Sequence, residues 1–178
     1  LAFLTGALVA HIISRVLRDR TTPLQTLYLS GCHALEEQFG HQYSHTYEIT
    51  STLRQAIHMA GEPGLRPQEA MERLRCANAA QVLAGAVYAT LACREDFDSA
   101  LITAINHSGR SAAVGALAGA ILGARLGEEA LPDFYLDCLE PVDTLRQLAD
   151  DVCQGCPMEK GSRLFDDDWH RKYLRGGK

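Results

Sequence analysis

The sequence has little that speaks for strands: no alternating run of β-branched residues extends beyond a few positions, so a sheet is not expected. It also lacks positive charge in excess. The net charge is −5 at pH 7, which argues against an extended nucleic-acid-binding surface. No apolar run reaches the about 18 residues of a membrane-spanning helix; His11 and Arg15 interrupt the first candidate, and Arg110 and Arg125 bracket the second. No partner role for nucleic acid or membrane is therefore expected. A glycine-rich phosphate loop of the P-loop or Rossmann type is missing, and each would need a preceding strand. Gln/Asn-rich and acidic low-complexity tracts are missing too. The apolar opening "LAFLTGALVAHIISRVL" has neither the basic lead-in nor the small-residue cleavage site of a signal peptide. It starts at Leu1 inside an apolar pattern, and the expectation is a piece of a larger protein.

What is present is helical periodicity. The 178 residues suffice for one domain with a sizeable core. Leu1 to Arg20 repeats apolar residues at three- and four-residue steps. Thr22 is expected to cap a second helix, with Pro23 in its first turn, running to about Gln38 and stopping at Gly40. Further helices are expected over Tyr43 to Ala60, closed by "GEPG"; from Pro67 to near Arg75; over Ala79 to Cys93; from the cap Asp96 to Ile105; over Ser111 to Leu126; after Pro132; and from Glu140-Pro141 to near Gln154. The fold class is all-α, an antiparallel and orthogonal helical bundle with short connections. The main domain is expected over residues 1–155. The charged tail 156–178 is expected to wrap the surface, with Phe165, Trp169 and Tyr173 as anchors and loose last residues.

The stretch with most chemistry is "INHSGRSAAVGALAGAILGARLG", Ile105 to Gly127. A polar knot leads directly into an Ala/Gly helix. Gly115, Gly119 and Gly123 recur every four residues, which suits close backbone approach and a central core position, at a cost of about 1 kcal/mol per glycine relative to alanine. A helix start presents unpaired N–H groups and a partial positive charge, and so favours anions. Asn106, His107, Ser108, Arg110 and Ser111 gather there, and the arginine fork suits phosphate or carboxylate. They are the candidate ligand-binding residues. The plainer alternative is that Ser108 or Ser111 caps the helix, Asn106 satisfies loop backbone and Arg110 is solvated.

This stretch resembles the C-terminal signature of the ADP-ribosylglycohydrolases, Asn-His-Gly-Gly-Asp-Ser-Asp-Thr-(Thr/Ser)-Gly-Ala-(Ile/Leu)-Ala-Gly. The match falls on Asn106-His107, Gly109, Ser111, Gly115-Ala116-Leu117-Ala118-Gly119 and Gly123-Ala124. "LGEEALP", Leu126 to Pro132, echoes the loop that follows, and the preceding "NAAQVLAGAVYATLACREDFDSALITAI" is similar to the family's corresponding helix pair. The resemblance covers most of residues 1–152. It implies an all-α, magnesium-dependent hydrolase that removes ADP-ribose from modified proteins or small molecules. It also implies that two Asp and one Thr of the signature hold metal. Those positions fall on Arg110, Ala112 and Ala113, which offer magnesium no oxygen, and an arginine repels a cation at close range. The family's Thr-Asp-Asp cluster, which supplies its other ligands, is placed by the resemblance ahead of Leu1.

No catalytic or metal-ligating residue and no cofactor are therefore expected in this chain. The expectation is a pseudo-hydrolase that binds ADP-ribose or a related nucleotide, with Arg110 either a product of neutral drift or a stand-in for metal charge; the family's crystallin-like lens relatives are a precedent for a non-enzyme on this scaffold. The alternatives are a structural module that associates with itself or with a missing N-terminal half, and an active hydrolase whose ligands lie outside the chain.

Other motifs carry less. Cys153-Gln154-Gly155-Cys156 is a lone CxxC, without the second pair of a structural zinc site or the βαβ setting of a redox motif. His41 and His45 have the spacing of a zinc pair, but Gln42 stands where a zincin needs Glu, so they read as exposed helix histidines. Asp166-Asp167-Asp168 reads as a surface feature balanced by Trp169-His170-Arg171-Lys172. The six cysteines lack the spacing of a disulfide scaffold, and the expected setting is cytoplasmic with reduced thiols.

Overall fold

A computed structural model describes residues 1–153 together with Asp167 and Arg171. Among the described residues every regular element is helical, and no helix is long and apolar enough to cross a membrane. The chain divides into two compact units, Leu1–Pro132 and Asp133–Lys178.

The first unit holds α1 (Ala2–Arg18), α2 (Leu24–Phe39), α3 (His45–Ala60), α4 (Pro67–Leu74), α5 (Ala79–Ala92), α6 (Phe97–Ile105) and α7 (Ser111–Leu126). Each buries the stripe that its spacing dictates. On α1 this is Leu4, Leu8, Ile12 and Val16, one residue per turn, and full burial of such side chains contributes about 1.5–3 kcal/mol each. The centre is α5. Its residues are buried from Val82 to Thr90 without a break, and α1, α2, α3, α4, α6 and α7 all pack on it. Small residues make this possible: Gly85 meets Cys76, Met71 and Val114 where a side chain would start. One polar pair is buried there, with Tyr28 Oη 2.8 Å from Thr90 Oγ1. The threonine hydroxyl donates to Val87 O, so the tyrosine is the donor of the pair. Burial pushes the Tyr28 phenol above its ordinary range.

Two sequence expectations change here. The Ala/Gly helix α7 is not the central helix. It buries Val114, Gly115, Ala118, Ile121 and Leu122, while Ala112, Ala113, Ala116 and Ala120 are exposed. Two of its glycines face α6, Gly115 against Ile105 and Gly119 against Leu101, while Gly123 faces open space. Nor does Thr22 cap α2, which starts after Pro23 without a side-chain cap. The Thr22 hydroxyl donates instead to Asp19 Oδ2 at 2.6 Å. Asp19 Oδ1 accepts the N–H groups of Thr21 and Thr22, so an aspartate closes this turn. At its far end α7 is pinned by Arg125, whose Nε donates to Glu95 at 2.8 Å and whose Nη1 donates to Thr22 O at 2.9 Å.

The second unit contains α8 (Asp133–Asp137) and α9 (Val142–Cys153). Neither has a buried residue. Leu145, Leu148 and Val152 form an exposed apolar stripe at helical spacing on α9. Cys153 is exposed. Its CxxC partner Cys156 and the anchors Phe165, Trp169 and Tyr173 lie outside the described residues.

Candidate functional site

Asn106, His107, Ser108 and Arg110 fall in the turn between α6 and α7, Ser111 opens α7, and Ser108 bonds the end of α4. Asn106 is the C-cap of α6, and its side-chain amide donates to Ile102 O at 2.7 Å. It thus serves backbone, as the plainer reading of the sequence had it. His107 is engaged on both ring nitrogens. Nε2 lies 2.9 Å from Ala104 O, and Nδ1 accepts the Gly109 N–H at 3.0 Å. A carbonyl only accepts and an amide N–H only donates, so the hydrogen sits on Nε2. The ring shapes the turn.

Gly109 is the point of closest approach. A Cβ there would collide with Arg75 O and would lie 2.8 Å from Cys76 Cβ and 3.0 Å from Cys76 O. The opposing segment is itself unusual: Arg75 and Cys76 are consecutive non-glycine residues at positive φ, 63° and 45°. Such backbone costs of the order of 1 kcal/mol or more per residue and persists only where surrounding contacts hold it. Here Arg110 N–H donates to Cys76 O at 3.0 Å, and Cys76 is fully buried. Its thiol is pushed up to about 11, first by burial and then by the Glu72 charge.

Neither serine caps α7. Its N-cap is Arg110, and no side chain bonds the first turn. Ser108 turns the other way, to Glu72 on α4. The Ser108 N–H donates to Glu72 Oε1 at 2.8 Å, and its hydroxyl bonds Glu72 Oε2. A carboxylate that accepts from both ends of one serine favours its ionised form, and these two bonds hold Glu72 below the ordinary carboxylate range. Glu72 was not legible as a site residue. It sits 36 positions away in "PQEAMERL", which reads as an ordinary solvated helix.

The helix start is more fully occupied than the sequence suggests. Besides the donors already named, Ser111 N–H donates to Gly109 O and Ala113 N–H to Arg110 O. The groups left for a ligand are the Ala112 N–H, the Ser111 hydroxyl and the Arg110 guanidinium. Arg110 is exposed, and its guanidinium has no hydrogen-bond or ion-pair partner among the described residues. Ala112 and Ala113 are exposed beside it.

The zinc-like spacing of His41 and His45 does not become a helical pair, because α3 begins only at His45. His41 lies in the turn before it, and both are exposed. His45 Nδ1 is 2.8 Å from Glu48. Among the described residues no three His, Cys, Asp or Glu side chains converge as a metal site would need.

A family model described as ADP-ribosylglycohydrolase matches residues 1–161. The chain belongs to the ADP-ribosylglycohydrolase family, and the all-helical architecture of the described residues agrees with that membership. No curated protein and no solved structure gives a significant match. The magnesium chemistry that the resemblance implies does not fit the α7 start. Arg110, Ala112 and Ala113 provide no oxygen ligand, the Glu72 carboxylate is engaged by Ser108, and a hard divalent cation needs several oxygens around it.

Proposed function

We propose that this ADP-ribosylglycohydrolase-family protein is a pseudo-hydrolase: it binds ADP-ribose, or a nucleotide diphosphate like it, without cleaving it. The observation that carries this reading is Arg110. A guanidinium with no partner among the described residues stands at the first turn of α7, at a position where the resemblance implies a metal-holding aspartate. A hydrolase of this family uses metal charge against its substrate. Here a side-chain cation takes that place, and its planar fork pairs with two phosphate oxygens at once. The Ala112 N–H and the positive end of the α7 dipole add to the attraction. None of these groups activates a water, so the bond to the ribose is left intact.

The experiment is a calorimetric titration of ADP-ribose into wild type and Arg110→Ala in buffer containing EDTA. The wild type is expected to bind, and the variant about tenfold or more weaker, as for loss of one charge-assisted contact. Equal affinities would contradict the reading.

A second reading has its own support. Ile102 and Ile105 on α6 are half exposed, Phe3 on α1 is 74% exposed, and the Ala112, Ala116 and Ala120 positions of α7 are open. Exposed apolar surface of this kind suits association with another protein or a second copy. On this reading the protein is an interaction module. Sedimentation velocity separates the cases: a concentration-dependent dimer supports it, and a monomer at all concentrations with no binding of an apolar dye counts against it.

A further inference from the structure

We propose that the apolar stripe of α9 is the docking surface for the chain's own C-terminal segment, residues 163–174, laid antiparallel on it through Phe165, Trp169 and Tyr173. The inference is independent of the α7 turn. α9 needs a cover. It has 12 residues, and a helix of that length is marginal in water unless its apolar face is packed. Yet none of its residues is buried. Leu145, Leu148 and Val152, which share one side of the helix at steps of three and four, are 48%, 38% and 57% exposed.

The segment supplies a matching stripe. Phe165, Trp169 and Tyr173 recur every fourth residue, the spacing of one helical side. Asp167 and Arg171, which stand between them, are helical and exposed, and Arg171 Nε donates to Asp167 O at 3.3 Å. A helix continued through these two positions turns the three aromatic residues to the side away from them. Laid antiparallel, the stripes meet one to one: Val152 with Phe165, Leu148 with Trp169 and Leu145 with Tyr173. Gln154 to Leu164 make the turn between them and contain Gly155, Pro157 and Gly161, residues that interrupt helices and favour turns.

Charge favours this direction. Asp137, Glu140 and Asp143 lie at or just before the start of α9, and Lys172, Arg175 and Lys178 follow Trp169. The antiparallel arrangement sets the two groups side by side, and complementary charge at the rim of a contact fixes its orientation. At the other end Asp150 and Asp151 come level with Asp166 and Asp168, and there apolar contact holds the pair. A second copy would bring another α9 in which acids outnumber bases, whereas the tethered segment is basic after Trp169 and is held at high effective concentration. The chain's own segment is therefore the occupant, and while it is in place the stripe is closed to other proteins.

Trp169 is the sole tryptophan of the chain, so its fluorescence reports the contact. The test compares its emission and acrylamide quenching in the full chain with those in Leu148→Glu and Gln147→Glu. Both positions are exposed on α9, Leu148 in the stripe and Gln147 on the opposite side, so neither change removes a buried group. Wild type is expected to emit at shorter wavelength than free tryptophan and to resist quenching. In Leu148→Glu the emission is expected to shift to longer wavelength and quenching to rise toward that of free tryptophan; in Gln147→Glu both stay as in wild type. Emission like that of free tryptophan in wild type would overturn the proposal. So would protection that survives in Leu148→Glu, which would put Trp169 on another surface. A shift in both variants would also overturn it, since the response would then be to added charge and not to loss of the stripe. Protection lost on dilution of the wild type would assign the cover to a second copy and contradict the proposal as well.

Discussion

Two helix starts meet in this protein and are built differently. The start of α5 has a complete capping box: Asn78 accepts the Gln81 N–H at 3.0 Å, and Gln81 reaches back to the Asn78 N–H. The start of α7, joined to it through the Arg110 bond to Cys76 O, has an arginine at the N-cap and no side-chain cap, although two serines lie within reach in sequence. One of them, Ser108, is diverted to Glu72. The α5 start is finished for stability, because a capped terminus has its donors satisfied within the fold. The α7 start keeps a cation and small exposed residues at its mouth. The difference teaches that cap-forming residues in a sequence do not tell which partner they choose; that depends on what the rest of the fold brings near.

The sharpest way to break this comparison is Gly109→Ala. The added methyl would meet backbone of Arg75 and Cys76, which cannot rotate away as a side chain can. A loss of about 2–3 kcal/mol in urea unfolding is expected, the cost of overpacking against a fixed neighbour. A loss below about 0.5 kcal/mol, the range of ordinary surface changes, would mean that the turn is not locked to α4 as described.

Next in size is Asn78→Ala. It removes the α5 cap and is expected to cost about 1 kcal/mol. Ser111→Ala, the corresponding change at α7, is expected to stay within about 0.5 kcal/mol. The two variants measured side by side in urea test the contrast directly: similar losses would show that Ser111 caps α7 after all.

The smallest effect is one of pH, away from both starts. Glu36 accepts both arms of Arg54, at 2.5 and 2.9 Å, and the Thr50 hydroxyl. The Arg54 guanidinium chiefly, and the threonine after it, hold its carboxyl at about 2, below the ordinary 4.5. A carboxylate depressed in the folded state contributes stability that is present above its unfolded value and is lost as pH falls through the folded one. Between pH 5 and pH 2, wild type is therefore expected to lose more stability than Glu36→Gln. The difference is modest, because the pair is partly solvent-exposed and screened. Parallel curves for the two proteins would show that the pair is not formed in solution.

Much of the fold was legible. The Asp96 cap, Pro67 at a helix start and the three- and four-residue stripes place the helices within a residue or two of where they lie. The depth of α7 was not legible, because alanine and glycine pattern alike whether a face is packed or bare. Only the contacts of Gly115 and Gly119 with α6 show which side is covered. At the candidate site, the family signature pointed to the turn between α6 and α7, and Asn106 and Arg110 stand much as the plainer reading had them. His107 was legible as polar and not as a brace, since its partners are backbone atoms. Glu72 was hidden by distance along the chain, and the strained Arg75-Cys76 pair by residue types that give no warning of positive φ. Gly109 was the one available signal, a glycine whose reason is a backbone pressed against it.

The measurement that bears most directly on the central claim is calorimetric titration of ADP-ribose into the wild-type protein, with magnesium and again with EDTA. Binding of equal strength in both is expected on the proposed reading, in which Arg110 supplies the positive charge that the family is implied to draw from metal. Binding that appears only with magnesium would contradict the account and return a metal-dependent hydrolase to the α7 start.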